Sequence, residues 1–288
     1  MDTIVEHFRL QDAKSVLIPM TAGAILSTDQ SPSTHDEALD MEDIPYQRGI
    51  GSLMYAATST RPDIAFAVSI ISQFMKNPGW THWEVVKDAI HYLKGTADVR
   101  LTLGGTDTGL EAYVDADWAS QPHRHSMTGY TVLLHGAPIA WSARKQTILA
   151  LSTAEAEYIA LTAVGREVLY LQALITELYA PTVLITPPIP VYCDNQGAIA
   201  LTSNSKFHAR TKHIDLRFHF VCSLVKDGTI DIRYCPTENN IADAFTKALP
   251  RPRLQKLRAG LGLDTARGGV LDSASLRTLS ASFHFTPL

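Results

Sequence analysis

The sequence is poor in cysteine and has no long uninterrupted apolar run. Its three cysteines, Cys193, Cys222 and Cys235, are too far apart to form a C-x-x-C pair. We therefore expect reduced thiols in an intracellular protein, and neither a disulfide framework nor a zinc knuckle. The cysteines do not distinguish a cytoplasmic particle from the nucleus. No 18-residue apolar segment occurs, so no membrane span and no membrane partner is expected. The N-terminal MDTIVEHF also lacks the basic and apolar regions of a signal peptide.

The chain also has no excess of positive charge. Its 29 acidic and 25 basic residues give a net charge of −4, which argues against a uniformly basic nucleic-acid-binding surface. A local basic patch is still compatible with this total, because binding follows the distribution of charge. With 288 residues, of which 45% are hydrophobic, the chain is long and apolar enough for one large domain or a medium domain with an appendage.

The first hundred residues have helical patterns and no obvious chemistry. Residues 1–43 are mixed in character, and we predict a partly flexible N-terminal segment that includes the polar stretch 27–40. Residues 44–105 are predicted to form two or three packed helices. Pro62 lies where a first helical turn is expected, and Lys94-Gly95 is a normal helix stop.

Residues 108–250 combine strand and helix patterns. Short stretches between turn signals predict strands at 111–119, 128–136, 137–151, 189–193 and 229–234. Helical patterns cover 152–179, 211–226 and 239–249. Three antiparallel strands followed by strand–helix crossovers predict an α/β fold, with a mixed five-stranded sheet flanked by helices. Residues 251–288 are predicted to form a short helix and a disordered tail.

Acidic residues occur at several ends of these predicted elements. Asp115 and Asp117 are two apart on a strand and therefore share a face. Asp194 follows an apolar strand, and Asp243 lies in the last helix of the domain among apolar residues. Each also has a structural interpretation, Asp194 as a helix cap and Asp243 as an acid favoured by the helix dipole. A shared site and separate structural roles are both compatible with these positions.

The stretch STAEAEYIAL places two glutamates at the start of the predicted helix 152–179. Ser152 and Glu155 fit the capping box S-x-x-E, which satisfies free backbone N–H groups at a helix start. Glu157 instead begins the apolar stripe, which continues through Ala160, Leu161, Val164, Val168, Leu171, Leu174 and Leu178. A carboxylate on the buried side is costly unless a cation shared with other carboxylates compensates it. The pattern favours a structural role for Glu155 and a functional one for Glu157.

Asp115, Glu157, Asp194 and Asp243 together suggest one shared site at a sheet edge. Carboxylate oxygens without a Cys/His set indicate Mg²⁺ or Mn²⁺. Two such ions can activate water and stabilise the leaving oxygen of a phosphodiester. We therefore expect a metal-dependent phosphodiester hydrolase with two bound ions.

Several long segments of the sequence resemble copia-type retrotransposon polyproteins. The segments similar to the ribonuclease H domain are YVDADWA, TGYTVLLHGAPIAWSARKQTILALSTAEAEYIAL, VYCDNQGAIAL, FHARTKHIDLRFHF and PTENNIADAFTKALPRPRL. The segment YQRGIGSLMYAATSTRPDIAFAVSIISQFMKNPGWTHWEVVKDAIHYLKGT is similar to the region that follows the reverse-transcriptase palm. The resemblance runs from about residue 4 to residue 263 and rests on several ordered motifs.

The resemblance implies a ribonuclease H-like domain at 108–250 and a reverse-transcriptase thumb and connection remnant at 44–105. It implies Mg²⁺-dependent cleavage of the RNA strand of RNA–DNA hybrids, with the palm domain as a partner in the full polyprotein. The family's catalytic and metal-binding carboxylates fall on Asp115, Glu157, Asp194 and Asp243.

The sequence also departs from its relatives. The Y-x-D-D signature of the palm and any protease or integrase segment are missing, which predicts the 3′ part of an element, truncated or decaying. The loop YCPTENNIAD is too short for the histidine-bearing loop of cellular ribonucleases H, so its proton-shuttling role is absent or supplied otherwise. A catalytically inactive nucleic-acid-binding remnant is the alternative, although all four carboxylates are present.

The segment 206–220 concentrates basic residues beside the predicted site, namely Lys206, Arg210, Lys212 and Arg217, with three histidines. We predict that it contacts backbone phosphates. A solvated helix face is the structural interpretation, and a zinc site is disfavoured because the histidine spacing matches no standard set. Trp118 and Trp141 fit core packing better than stacking on bases.

Overall fold

The computed structural model describes residues 2–104, 106, 108–179, 185–203 and 212–265. Its α-helices are α1 Asp2–His7, α2 His35–Glu42, α3 Tyr46–Ser59, α4 Ala65–Ile71, α5 Trp80–Gly95, α6 Thr153–Tyr179, α7 Gln196–Ser203, α8 Lys212–Lys226 and α9 Arg251–Gly260. Its strands are β1 Val99–Leu101, β2 Leu110–Asp117, β3 Met127–Leu134, β4 Ala137–Lys145, β5 Ile189–Cys193, β6 Ile230–Tyr234 and β7 Leu263–Thr265. Short 3₁₀ helices occur at Thr28–Gln30, Pro62–Ile64, Ser72–Phe74, Pro122–Arg124, Thr237–Asn239 and Ile241–Phe245.

Five strands form the main sheet, in the order β4-β3-β2-β5-β6. Strands β2, β3 and β4 pair antiparallel, as expected for a meander joined by short turns. Strand β5 pairs parallel with both β2 and β6, and helices α6 and α8 lie in the connections. The predicted fold class, an α/β mixed five-stranded sheet flanked by helices and preceded by a small helical region, is therefore confirmed.

The sheet separates two hydrophobic cores. On one face, Ala112 and Val114 of β2 pack with Leu161, Val164 and Val168 of α6, all five fully buried. On the other face, the N-terminal helices α3 to α5 share a core with Met127, Leu133 and Phe245. Alternate residues of each strand therefore contribute to opposite cores, as the pleat of a sheet requires.

The N-terminal helices are attached to the sheet by specific polar contacts as well as by apolar packing. The indole N–H of Trp141 in β4 donates to the carbonyl oxygen of Ala57 in α3 at 2.8 Å. Arg61 is 1% exposed and forms a two-pronged ion pair with Asp63, at 2.9 and 2.8 Å. Tyr92 donates to Asp63 at 2.6 Å and accepts from Arg258 of α9 at 3.3 Å. Trp141 thus has the core-packing role that its sequence position favoured.

Helix α6 is long and apolar enough to cross a membrane by length and composition. Its best 18-residue window has a mean hydropathy of 1.3. The sequence criterion missed it because charged residues interrupt the apolar run. The inward side chains of α6 are buried against the sheet, which is typical of the central helix of a packed domain. Leu178, predicted to extend the stripe, is instead 64% exposed, and Ile175 takes the inward position.

The structure differs from the predicted elements at several places. The polar stretch 27–40 contains a 3₁₀ turn and the start of α2, each begun by a capping box, with Ser27 and Thr34 as caps. Strand β4 ends at Lys145, not at 151, because Gln146 turns inward and donates to Thr128 and to the carbonyl of Ala156, both at 2.9 Å. Strands β1 and β7, which were not predicted, form a separate antiparallel pair.

The last helix predicted for the domain, 239–249, was wrong in type. The chain forms two short 3₁₀ helices there, ending with Ile241–Phe245. The cause is anchoring at the start of the second helix: the amide of Asn240 donates to the Val114 carbonyl of β2 at 2.9 Å and caps the helix through Ala242 at 3.1 Å. Pro250 follows shortly after and begins α9. The predicted tail after residue 265 lies outside the described residues.

Candidate active site

The four predicted acids come from four different elements and meet at one end of the main sheet. Asp115 lies in β2, Glu157 in the first turns of α6, Asp194 directly after β5, and Asp243 in the 3₁₀ helix Ile241–Phe245. Asp115, Glu157 and Asp243 are 3%, 4% and 2% exposed, and Asp194 is half-buried. Ligand atoms of Glu157, Asp194 and Cys193 lie within 4.8 Å of one another.

The strand order explains why Asp115 and Asp194 are neighbours. β2 and β5 are parallel and adjacent, with Tyr113 opposite Tyr192. Two residues further along each strand, the chains reach Asp115 and Asp194 at the same carboxyl edge. Helix α6 packs against β2, and the Cys193 thiol at the end of β5 contacts Glu157 Oε2 at 3.9 Å.

A glycine in β3 lets the fourth acid approach the sheet. Gly129 is paired directly opposite Asp115. A Cβ at this position would lie 2.6 Å from the Thr246 side chain and 2.8 Å from Cβ of Phe245, closer than real contacts allow. The absence of a side chain therefore permits the segment that carries Asp243 to lie directly on the strand next to Asp115.

The carboxyl groups are costly to ionise in this arrangement. Burial raises the pKa of Asp115 to about 7, with a further contribution from Asp243, while Lys247 and the Thr246 hydroxyl act in the opposite direction. Burial, and then repulsion from Asp115 and Asp194, raises the pKa of Glu157 well above its usual value. Carboxylates that are buried together and repel one another need a cation to be ionised at neutral pH.

Two basic side chains already neutralise part of the cluster. The Lys247 ammonium lies 2.8 Å from Asp243 Oδ1 and 3.6 Å from Asp115 Oδ2. Arg253 of α9 contacts the other Asp243 oxygen at 2.6 Å. The ammonium shows that this space accommodates a positive charge between two carboxylates. Carboxylate oxygens make up most of the donor set, with the Cys193 thiol beside Glu157 and Asp194. The residues therefore fit a hard divalent cation such as Mg²⁺ or Mn²⁺.

Residues that follow β6 hold the acids in place. The Thr237 hydroxyl donates to Asp194 Oδ2 at 2.7 Å. Arg253, besides contacting Asp243, donates to the backbone carbonyls of Thr237 and Glu238. The same guanidinium therefore fixes Asp243 and the loop that orients Asp194.

The other glutamate of the STAEAEYIAL stretch is part of the helix start. The Ser152 hydroxyl accepts from the Glu155 N–H at 3.2 Å, and the Glu155 carboxylate accepts from the Leu151 N–H at 2.8 Å. The capping interaction predicted for Ser152 and Glu155 is confirmed, with the side chain reaching one residue further back than expected. Only Glu157 reaches the acidic cluster.

Most of the residues predicted to contact phosphates lie outside the part of the chain that the structure describes. Lys206 and Arg210 lie outside the described residues, as does the side chain of Lys212, the first residue of α8. Arg217 is half-buried in α8. Trp118 follows β2 beside the acids, donates to the Ala150 carbonyl at 3.0 Å and stays half-exposed. The predicted phosphate contacts of the basic segment stay a prediction.

Lys247, Arg253 and Thr237 are site residues that the sequence did not reveal. Lys247 is four residues after Asp243, which is a possible ion-pair spacing, but that spacing is common on helix surfaces. Arg253 and Thr237 have no periodic relation to the acids. Their roles depend on the 3₁₀ geometry and on the docking of α9.

Sequence comparison gives relatives over nearly the whole chain. No protein-family model matches the sequence. The Pol polyprotein of transposon TNT 1-94 from Nicotiana tabacum is 41% identical over 264 residues, 91% of this chain and 20% of the relative. The Pol polyprotein of transposon RE2 from Arabidopsis thaliana is 37% identical over 90% of this chain and 17% of the relative. The chain thus spans about a fifth of the length of these relatives.

A shorter relative also exists. The secreted RxLR effector protein 161 of Plasmopara viticola is 39% identical over 133 residues, 46% of this chain and 94% of its own length. Similar sequence therefore occurs in chains much shorter than a polyprotein.

Among solved structures, the similarities are weak. The N-terminal RNase H domain of a Mycobacterium tuberculosis protein has a TM-score of 0.37 and 13% identity, covering 53% of this chain and 98% of that chain. The foamy viral protease-reverse transcriptase bound to an RNA/DNA hybrid has a TM-score of 0.40 and 14% identity, covering 71% of this chain and 27% of that chain. The fold class rests on the strand order described above. In sequence, the chain is similar to one segment of the retrovirus-related Pol polyproteins of transposons.

Proposed function

We propose that the chain is a ribonuclease H-type endonuclease that hydrolyses the RNA strand of RNA–DNA hybrids, from a copia-type element. The observation that carries the proposal is the convergence of Asp115, Glu157, Asp194 and Asp243 at one sheet edge. Asp115, Glu157 and Asp243 are almost completely buried, and burial makes ionisation of Asp115 and Glu157 costly. A site of this kind is expected at functional positions, because stability alone would not favour it.

The four carboxylates would hold Mg²⁺ or Mn²⁺, and we propose two ions. When bound, such ions lower the pKa of an attacking water and stabilise the charge on the departing 3′ oxygen of a phosphodiester. The protein's own residues supply the positioning: Thr237 orients Asp194, and Arg253 orients Asp243. Side chains that are fixed before the substrate arrives need little reorganisation during the reaction.

The proposed substrate class is supported by the similarity to Pol polyproteins and by the chemistry of hybrids. An enzyme of this kind would recognise A-form shape and the 2′-OH, and would not read sequence. The basic segment 206–220 would contact backbone phosphates, as proposed from its composition. A reverse-transcriptase palm is the proposed partner within a full polyprotein, and the free thiols are compatible with the proposed intracellular location.

The experiment is cleavage of a labelled RNA–DNA hybrid by the purified chain. Parallel reactions contain Mg²⁺, Mn²⁺ or EDTA, and parallel substrates are single-stranded RNA, RNA duplex and DNA duplex of the same sequence. We expect cleavage of the RNA strand of the hybrid alone, and only with a divalent cation. Hybrid cleavage that persists in EDTA, or in Asp115→Asn at the wild-type rate, would contradict the assignment.

The alternative is a nucleic-acid-binding remnant without activity. One observation favours it: both Asp243 oxygens are already engaged by cationic side chains, Lys247 and Arg253. Hybrid binding in a gel-shift assay, without cleavage under any metal condition, would support this alternative.

A further inference from the structure

The two halves of the acidic cluster are neutralised differently. Asp243 contacts Lys247 through one oxygen and Arg253 through the other, and Asp115 contacts both Lys247 and the Thr246 hydroxyl. In contrast, no described lysine or arginine forms an ion pair with Glu157 or Asp194. Among the described residues, the cationic side chains that form ion pairs with the cluster therefore contact its Asp115–Asp243 half.

Lys247 and Arg253 also differ in how firmly they are held. Arg253 donates to two backbone carbonyls of the 237–239 turn in addition to Asp243, so its position is fixed by the fold. No other hydrogen bond of the Lys247 ammonium to a described residue accompanies its two ion pairs, and its side chain is 35% exposed. Among the described residues, the polar contacts of the Lys247 ammonium are therefore the two site carboxylates, whereas Arg253 is also bound to the backbone.

We infer that Lys247 is a tethered competitor of a divalent cation, whose ammonium occupies the Asp115–Asp243 half of the site until an ion displaces it. The inference rests on the proposed metal-dependent function. Asp115 and Asp243 would hold a divalent ion in this half of the site. The Lys247 ammonium lies 3.6 and 2.8 Å from these two carboxylates, so an ion held there would be repelled by a nearby like charge.

Two consequences follow for metal binding. The Glu157–Asp194 half, whose carboxylates form no ion pair with a described lysine or arginine, should bind first. The Asp115–Asp243 half should bind at a higher metal concentration, because that ion has to compete with a lysine held nearby by the chain. In the metal-free protein, the Lys247 ammonium would reduce the repulsion between the carboxylates of Asp115 and Asp243.

The test is a titration of the full chain with Mn²⁺, followed by electron paramagnetic resonance of free Mn²⁺. The variants are Lys247→Met, Lys247→Arg and the control Lys256→Met. Lys256 belongs to α9 and contacts the Glu238 carbonyl and Asn239, so its removal changes the net charge equally without touching a carboxylate of the site. We expect Lys247→Met to tighten the weaker Mn²⁺ binding by about tenfold or more.

The other variants should separate local competition from net charge. Lys256→Met should change the affinity less than about threefold, because its charge is screened. Lys247→Arg keeps the charge and should stay close to wild type. In EDTA, Lys247→Met should melt at a lower temperature than wild type, and Mn²⁺ should raise its melting temperature by more.

Several results would overturn the inference. The inference is wrong if Lys247→Met binds Mn²⁺ no more tightly than Lys256→Met does. It is also wrong if Lys247→Met is unfolded both with and without metal, because the lysine would then be required for folding. If the wild-type chain cleaves hybrids and Lys247→Met binds Mn²⁺ with unchanged affinity, the inference is wrong and the proposed function stands. If Lys247→Met binds Mn²⁺ more tightly but no variant cleaves hybrids, the proposed function is wrong and the competition by Lys247 stands. If no variant binds Mn²⁺, both are wrong.

Discussion

Substitution of the two glutamates at the start of α6 should separate a metal ligand from a helix cap. The change Glu157→Gln preserves shape and removes a charge from the acidic cluster. If Glu157 holds a cation in the transition state, we expect the rate of hybrid cleavage to fall at least about 100-fold, or about 2.7 kcal/mol of barrier. The change Glu155→Gln keeps an oxygen that can accept from the Leu151 N–H and should leave the cleavage rate within about threefold.

The two variants should also change the free energy of unfolding in opposite directions. The pKa of Glu157 is raised in the folded state by burial and by Asp115 and Asp194, so folding favours the protonated form. The resulting penalty is absent below the unfolded pKa of about 4.3 and grows as the pH rises above it. Without metal, Glu157→Gln should therefore gain stability over wild type at pH 8 and little at pH 4. Glu155→Gln should lose about 1 kcal/mol with its charged hydrogen bond.

Urea unfolding in EDTA at both pH values and single-turnover hybrid cleavage measure these effects. Activity and stability should move in opposite directions for Glu157→Gln and together, by small amounts, for Glu155→Gln. An inactive Glu155→Gln combined with a Glu157→Gln that cleaves normally would refute the assignment and shift the family alignment by two residues.

Four further predictions concern the surrounding structure. Asp115→Asn should abolish cleavage. In EDTA it should also add on the order of 2–4 kcal/mol to the free energy of unfolding at pH 8, because the folded pKa of about 7 makes ionisation of Asp115 costly above its unfolded pKa. Urea titrations should show that this gain vanishes near pH 4. Gly129→Ala should cost about 1–3 kcal/mol and most of the activity, since its Cβ would displace the segment carrying Asp243. Arg61→Met should cost roughly 3–5 kcal/mol in thermal unfolding, because Asp63 would be left buried without its cation. Replacing Lys206, Arg210 and Lys212 with Ala should flatten the salt dependence of hybrid binding by roughly 2–3 units in log–log slope, equally for different hybrid sequences.

The parts of the fold that follow from local periodicity were predictable. Alternation in β2 and β3, and the stripe of α6 that begins at Glu157, depend on which face of one element is buried, and each face is visible in a short stretch of sequence. The four acids were placed at one sheet edge from their positions at the ends of predicted elements. The pairing of β2 with β5, which brings Asp115 to Asp194, was not predicted, because the tendency of consecutive strands to be neighbours would favour β4 beside β5.

The remaining features depend on contacts between distant segments. Gly129 is an ordinary strand glycine in sequence, and its role appears only when the segment 241–245 lies on it. That segment is held by a bond from Asn240 to Val114, 126 residues away, which overrode the helical pattern of its sequence. The predicted boundary between 44–105 and 108–250 likewise gave no sign that Trp141 would bind α3 across it. No local pattern encodes such contacts.

Anomalous scattering from a crystal of the chain soaked in Mn²⁺ tests most directly whether the four acids form one metal site. We expect peaks within about 2.0–2.2 Å of carboxylate oxygens of Asp115, Glu157, Asp194 and Asp243, with the Lys247 side chain moved away from Asp115. Peaks confined to other residues, or no peak at a Mn²⁺ concentration that supports hybrid cleavage, would contradict the assignment.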